Sequence, residues 1–544
     1  MKGKNVRAAL LRCGMGLFLF AAAVTAVNVL LFPFARACYG YGAPGQLAAF
    51  AASLCAFIAL GHMLRRIPQA RLSRIARIAR PAFLILLFAL HLLLGVLMAY
   101  TPSGDNAMLI GASRMLAKTG SLDGNPDYGL YLSRFSNQWG FLLILSALFK
   151  LFFALGFGEA LFPLVALQAA LIAAGLWAAL SIARDLGGAR GEIAMLASLA
   201  CLMPLYLAAA VLYTDTFSMP FVLLTLRFAL AVPRAKEARA RVGNALLSAL
   251  FAVIGAQIKM TVLIALLASC IVWLLSLRPR QALTAVGLCA GIVIAALLGV
   301  KGFMLGRVLD PAVYAQEHTP AIHWVMMSIP TGDNPYGGYS GGDYAITWGM
   351  MDEGATREEV MASILARMRD RVYTLRYPNR LITAALRKNT AALGDGTFGM
   401  TEMLDDGPVR ENVVSSFVLE GRAHYALYGA LCTGVFMVHM ALSAAGCLID
   451  LRRRDPRAAT LAIAMFGMML FLMLWEARGR YVFTFVPVLL LLSVRGQASV
   501  AEALDQRRDS DALARHAAGA SAPGYGADDP VLPVHGGQCA DRAV

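Results

Sequence analysis

The sequence predicts an all-α polytopic membrane protein with about 12–13 transmembrane helices and outer loops that carry juxtamembrane helices. Three observations predict it. The 544 residues are 59% hydrophobic and only 15% charged, with a mean hydropathy of +0.64. Apolar runs of about 20 residues, long enough to cross the hydrocarbon core as helices, recur along the chain. The basic residues gather in a few short loops. In lipid every backbone polar group must be paired within its own segment, which makes helices the default.

The apolar runs fall near 9–34, 45–64, 81–100, 140–157, 162–183, 191–211, 213–232, 243–258, 260–277, 281–300, 425–449, 458–475 and 480–495. Lys2, Lys4 and Arg7 precede the first, and Ala35-Arg36-Ala37 resembles a signal cleavage site. The apolar stretch is long for a signal peptide, so an uncleaved first helix is expected. Arg65, Arg66, Arg71, Arg74, Arg77 and Arg80 form one basic loop. Arg234, Lys236, Arg239 and Arg241 form a second, and Arg452, Arg453, Arg454 and Arg457 a third. This is the pattern that sets membrane orientation, and it accounts for the net charge of +15 without nucleic acid. It places the N-terminus and the tail in the cytoplasm and loop 101–139 outside.

If all thirteen runs cross, loop 302–424 falls inside and Arg452 to Arg457 outside, against the charge rule. Either 140–183 makes one net crossing, or 243–277 is one long helix. The first keeps Arg234 to Arg241 inside and is preferred. The expected segments are an N-terminal hairpin with its basic loop (1–80), a transmembrane core with the first outer loop (81–300), an outer loop domain (301–424), C-terminal helices (425–495) and a disordered tail (496–544). In the outer domain, Thr356-Arg357-Glu358-Glu359 reads as a capping box. Val360, Ile364, Met368 and Val372 follow on one face. A second helix is expected from Pro378 to about Leu393. The nine cysteines include no CxxC pair, so neither a disulfide framework nor a thiolate metal site is expected. Cys539 and His535 are too sparse for one.

The polar loop 101–139 interrupts a very apolar chain. Within it a helix is expected from Asp105 to Lys118, stopped by Gly120, with a turn at Gly124 to Asp127. Asp105 stands five residues past a membrane-length run, placed to meet a lipid head group. It is either a general base or a helix cap. Asp123 and Asp127 read as turn residues. Asp215, in LYTDTFSMPF, sits between two apolar runs and is either an ionisable group at membrane depth or another cap. Lys259, in GAQIKMTVL, either snorkels or pairs with a lipid phosphate or with Asp215. Arg478 and Arg480, in EARGRY, break the charge trend and call for an anion, for which guanidinium offers a fork of donors. Glu476 is the alternative partner. His323-Trp324 and the Gly-rich run around Tyr339 and Asp343 suit a sugar or head-group site, or an ordinary loop.

The ordered set of TPSGDNAMLIGASRMLAKTG with YLSRFSNQWGFLLIL, LYTDTFSMPF, GAQIKMTVLI, HWVMMSIPTGDNPYGGYSGGDY, GDGTF and EARGRYVFTFVPVLLLL resembles the glycosyltransferase C (GT-C) superfamily. More narrowly it is similar to the bacterial members grouped with protein O-mannosyltransferases and aminoarabinose transferases. The resemblance implies a GT-C-like bundle with its active site on the outer face and a polyprenyl-phosphate-linked sugar as donor. It implies catalytic roles for Asp105 and Asp215 and a donor-phosphate site at Arg478 and Arg480, to which Lys259 is added. Arg134, Asn137, His323, Trp324, Tyr339 and Asp343 are candidate substrate-binding residues. The mannosyltransferase subgroup has Asp-Glu where this chain has Asp105-Asn106.

The function expected is transfer of a sugar to a cell-envelope glycan, lipid or protein at the outer face of the cell membrane, with no nucleic acid and no required metal. A divalent cation held by two or three carboxylates stays open as an alternative. The rival readings are a transporter or flippase of lipid-linked saccharides, and a non-catalytic envelope-assembly scaffold.

Overall fold

The computed structural model describes residues 2–32, 34, 43–404, 407–453 and 455–520. Ala35-Arg36-Ala37, Arg454 and the end of the tail with His535 and Cys539 lie outside them. Among the described residues all regular elements are helical. In order these are α1 (Lys2–Leu31), α2 (Ala43–Arg66), α3 (Gln69–Leu97), α4 (Gly104–Thr119), α5 (Pro126–Arg134), α6 (Trp139–Ala154), α7 (Phe162–Ala200), α8 (Thr214–Ala229), α9 (Ala238–Ile258), α10 (Leu263–Ser276) and α11 (Pro279–Arg307). Segment 308–424 holds α12 (Pro311–Glu317), α13 (Ile322–Met327), α14 (Gly341–Asp352), α15 (Arg357–Thr374), α16 (Pro378–Leu393) and α17 (Val413–Val418). The chain ends with α18 (Tyr425–Arg453), α19 (Pro456–Leu474), α20 (Gly479–Phe483) and α21 (Val486–Ala520). Eleven of these are long and apolar enough to cross a membrane, and α10 is a shorter apolar helix. The protein is thus an all-α polytopic membrane protein.

Two expected runs share α7. Gly188 breaks it with φ 65° and ψ −155°, a conformation that glycine alone adopts readily. A Cβ built on Gly191 would lie 2.6 Å from the carbonyl oxygen of Ala183. Eight residues of straight helix would separate them by about 12 Å, so the chain folds back here.

The two ends of the bundle differ in chemistry. At one end Asp185 receives Arg227 (2.9 Å) and Arg234 (2.8 Å), Glu192 receives Arg80 and Arg184 (both 3.3 Å), and Asp455 receives Arg495 (3.0 Å). The basic loops therefore share one end. Asp215 lies at the other, twelve residues from Arg227 along α8 or about 18 Å.

This geometry overturns 243–277 as one long helix. The chain turns sharply at Lys259, whose backbone is extended (φ −152°, ψ 120°). Along α9, Ser248 Oγ donates to the carbonyl of Thr225 (3.1 Å), and along α10, Trp273 Nε1 donates to that of Ala229 (3.2 Å). α9 rises from the basic end and α10 returns to it. Residues 140–183 make one net passage, from Gln257, which crowds Gly140, to the neighbourhood of Asp185. α6 runs alongside α4 in the same direction: Arg114 lies over Phe149 (5.2 Å) and Lys118 over Phe153 (5.2 Å).

Segment 308–424 is anchored to the bundle at several points. Asn28 of α1 donates to the carbonyl of Leu386 (2.9 Å). The capping box forms at Thr356 and Glu359. Val360 and Ile364 pack on Met326 and Met351, so α15 packs on α13 and α14, and the apolar stripe ends with Val372 exposed. α16 has the expected bounds. The tail departs from expectation: α21 continues as helix to Ala520. From Gln497 to Ala518 there is neither Gly nor Pro, and seven Ala, three Arg and two Leu make up more than half of the stretch, all strong helix formers. Residues up to Ala501 form one compact unit, and Glu502 begins a second.

α18 and α21 approach at glycine. A Cβ on Gly496 would overlap the carbonyl of Leu442, and one on Gly446 would lie 2.7 Å from the Gly496 nitrogen. Small residues let membrane helices pack backbone to backbone. Gly496→Leu is expected to cost about 3 kcal/mol or more by overpacking. Gly299→Leu, where nothing lies within 4 Å, should be neutral. The thermal unfolding midpoint in detergent checks both.

Candidate functional site

Asp215 stands in the first turn of α8, which follows the folded-back end of α7 after a connection that contains a short 3-10 helix at Met203–Leu207. Its side chain does not cap the helix. Asp215 Oδ1 is paired with Lys259 Nζ, which the α9–α10 turn brings in. Oδ2 faces Arg480 Nε at 3.7 Å, which α20 brings in. Arg480 Nη1 donates to Glu402 Oε2 (3.1 Å), and Arg478 Nη1 lies 3.6 Å from the same oxygen. Three cations and two carboxylates thus alternate across segments far apart in sequence. Lys259 Nζ also sits 3.9 Å from the centre of the Tyr481 ring, a cation–π contact. The pairing alternative for Lys259 therefore holds in place of snorkelling.

Asp105 is likewise no cap. Ser103 precedes α4 and Asp105 lies in its first turn, exposed, with Oδ2 accepting the Tyr213 hydroxyl (3.2 Å). Burial and the nearby Asp105 push the Tyr131 phenol well up, keeping it protonated. Tyr213 joins the two charged groups. Its hydroxyl meets Asp105, and the Arg480 guanidinium lies 5.2 Å from its ring centre. Beside this stands a cavity of about 510 Å³ lined by Arg478, Arg480, Glu402, Thr401, Asp395 and Tyr425. Asp395 accepts the backbone N–H groups of Thr397 (2.8 Å) and Gly399 (2.9 Å), which folds GDGTF into a tight turn and aims Glu402.

The other sequence candidates divide. Tyr339 is half-exposed, stacked on Tyr344 (5.1 Å), and within electrostatic reach of both Asp105 and Glu476. Trp324 stacks on Trp475 (5.8 Å, 7°). Asn137 is exposed and lines a smaller cavity of about 170 Å³ with Gln257 and Met260, next to Lys259. Arg134 clamps α5 to segment 308–424 through Glu317 (2.8 Å) and Asp352. Asp343 is buried between Arg367 (3.3 Å) and Arg371 (2.6 Å). His323 is fully buried with Nδ1 3.1 Å from Thr347 Oγ1, and burial lowers its pKa to about 4. These last three hold segment 308–424 together and tie it to α5. Asp123 lies in the turn expected of it, whereas Asp127 is helical, in the first turn of α5, its backbone N–H donating to the capping Asn125 Oδ1 (3.0 Å).

Sequence reasoning missed Tyr131, Tyr213, Glu402, Tyr481 and Lys388. Tyr213 and Tyr481 adjoin charged motifs, which is the one signal that pointed to them. Glu476 is not the partner of Arg478 or Arg480: its Oε1 takes the Tyr481 hydroxyl. Oε2 is buried without a hydrogen-bond partner. Among the described residues no three His, Cys, Asp or Glu side chains converge in a way that could hold a metal ion.

Lys388 of α16 is 3% exposed and donates to the carbonyl of Ser328 (2.7 Å). Burial lowers its pKa to about 7, against a smaller opposing pull from Glu476. Between about pH 7 and its unfolded value near 10.4, the unfolded chain binds the proton and the folded chain does not. Stability should therefore rise with pH across that window. Lys388→Met is expected to flatten the rise, read as thermal unfolding midpoints from pH 7 to 10.

The chain is similar to the crystal structure of ArnT from Cupriavidus metallidurans bound to undecaprenyl phosphate, with 15% identity, 76% of this chain and 77% of that chain covered, and a TM-score of 0.31. No curated protein matches it. A family model described as conserved hypothetical integral membrane protein matches residues 43–499, and the chain belongs to that family.

Proposed function

We propose that the chain is a membrane glycosyltransferase that moves a sugar from a polyprenyl-phosphate carrier to an acceptor hydroxyl. The reaction takes place on the side of the membrane where Asp105 opens, which the charge rule assigns to the outer face. One observation carries the reading: Tyr213 links an exposed carboxylate, Asp105, to the guanidinium of Arg480. A proton acceptor and a phosphate-holding cation thereby flank one small region, as transfer from a lipid phosphate requires.

The acceptor oxygen attacks the anomeric carbon as its proton passes to Asp105. The bond from that carbon to the phosphate oxygen breaks, and its electron pair leaves with the polyprenyl phosphate. The configuration inverts. Negative charge grows on the departing phosphate, where Arg478 and Arg480 stabilise it with donors held ready. The cavity of about 510 Å³ beside them has room for the phosphate and one sugar. Asp215 keeps Lys259 and Arg480 in position.

Asp105→Asn should lower transfer by about 10²-fold or more, the scale of a lost general base. Asp123→Asn should leave it unchanged. Surface glycans in the native host, read by mass spectrometry at matched protein levels, check this. Normal glycans in both variants would move the reading to a transporter of lipid-linked saccharides or to a scaffold.

A second expectation concerns metal. The oxygens a divalent cation would need on Asp215 and Glu402 already face Lys259, Arg478 and Arg480. Transfer in membranes should persist after EDTA treatment. Loss restored by Mg²⁺ or Mn²⁺ would refute the metal-free version.

A further inference from the structure

Several arginines of the outer region are engaged. Arg134, Arg367 and Arg371 are bound to carboxylates, and Arg376 donates to the Tyr373 carbonyl (3.0 Å). Arg380 and Arg387 differ. They lie seven residues apart on α16, on one face of the helix. Among the described residues neither has a carboxylate within ion-pair distance or a hydrogen bond. Each lies over an aromatic ring: Arg380 over Tyr377 (5.4 Å) and Arg387 over Phe34 (5.6 Å). Together they line a cavity of about 480 Å³ with hydroxyls from Thr374 and Thr383 and apolar walls from Pro330 and Pro335.

The height of this cavity is set by α1. Asn28 Nδ2 donates to the Leu386 carbonyl (2.9 Å) and to Asn389 Oδ1 (3.0 Å). Asn28 is three residues from the end of the span Val6–Leu31, so Arg387 sits where that span leaves the hydrocarbon. We propose that this cavity binds the phosphate of an anionic phospholipid from the leaflet on that side. Guanidinium groups offer paired donors to phosphate oxygens, the Thr383 hydroxyl adds a further donor, and the prolines face the glycerol and the start of the acyl chains. Two uncompensated cations at head-group level complement a negative lipid surface. The site is separate from the Asp215 cluster and stands whatever the chain transfers.

The test uses the full chain purified from nanodiscs containing equal phosphatidylglycerol and phosphatidylcholine, with retained lipid counted by native mass spectrometry. The wild type should retain phosphatidylglycerol in preference. Arg380→Gln and Arg387→Gln should each lose about fivefold in that preference, the scale of one arginine at an anionic surface. Arg369→Gln, which removes an arginine 80% exposed on α15, should lose none. The double Arg→Lys variant keeps both charges and should retain most of the preference. Three results would each overturn the proposal: unchanged retention in the double Gln variant, equal loss in the Lys and Gln pairs, or displacement of the lipid by millimolar glucose 1-phosphate.

Discussion

The pairing of Asp215 with Lys259 and Arg480 is the constraint on which the rest depends. Asp215 is 2% exposed at the end of an apolar bundle, where an unpaired carboxylate is expensive. Its partners come from the turn between α9 and α10 and from the short helix α20 after α19. The ion cluster therefore decides where three otherwise interchangeable apolar elements end. Removing one partner from such a cluster typically costs about 3–5 kcal/mol, because the remaining charge stays buried. Lys259 also explains why α9 and α10 are two legs. Its extended backbone breaks the helix, and its ammonium has a fixed anion to reach.

Aromatic rings spread that constraint into the open part of the site. Tyr481 lies under Lys259 and gives its hydroxyl to Glu476. Tyr213 lies under Arg480 and gives its hydroxyl to Asp105. Both rings present a negative face to a cation and a polar edge to a carboxylate. Asp105 is thus held at a set distance from the arginines although it is exposed. Glu402, shared by Arg478 and Arg480, leaves those guanidiniums oriented along one wall of the cavity, suited to a larger anion.

Much of this was legible before any contact was known. Lys259 amid apolar residues, two arginines between the last apolar runs, and a carboxylate just past a span each violate a local rule, and each lies in the cluster or beside it. Thr356 and Glu359, Gly120, and the bounds of α16 follow from local hydrogen bonding and backbone preference. His323, Asp343 and Arg134 show where local reading fails. A polar residue in an outer loop looks the same in sequence whether it faces a ligand or a buried partner, and these three found partners. Tyr213, Glu402 and Lys388 carried too little local signal, because their roles depend on neighbours 60 or more residues away.

The sequence by itself determined that this is a helical membrane protein, which ends of its helices are basic, and which charges sit where an apolar chain tolerates them poorly. Those follow from the cost of exposing backbone and charge to hydrocarbon, which each segment meets alone. Only the tertiary structure decided which apolar runs fold back, at Gly188 and at Lys259, and which charges meet. An ion pair is a relation between segments, and no single segment carries it.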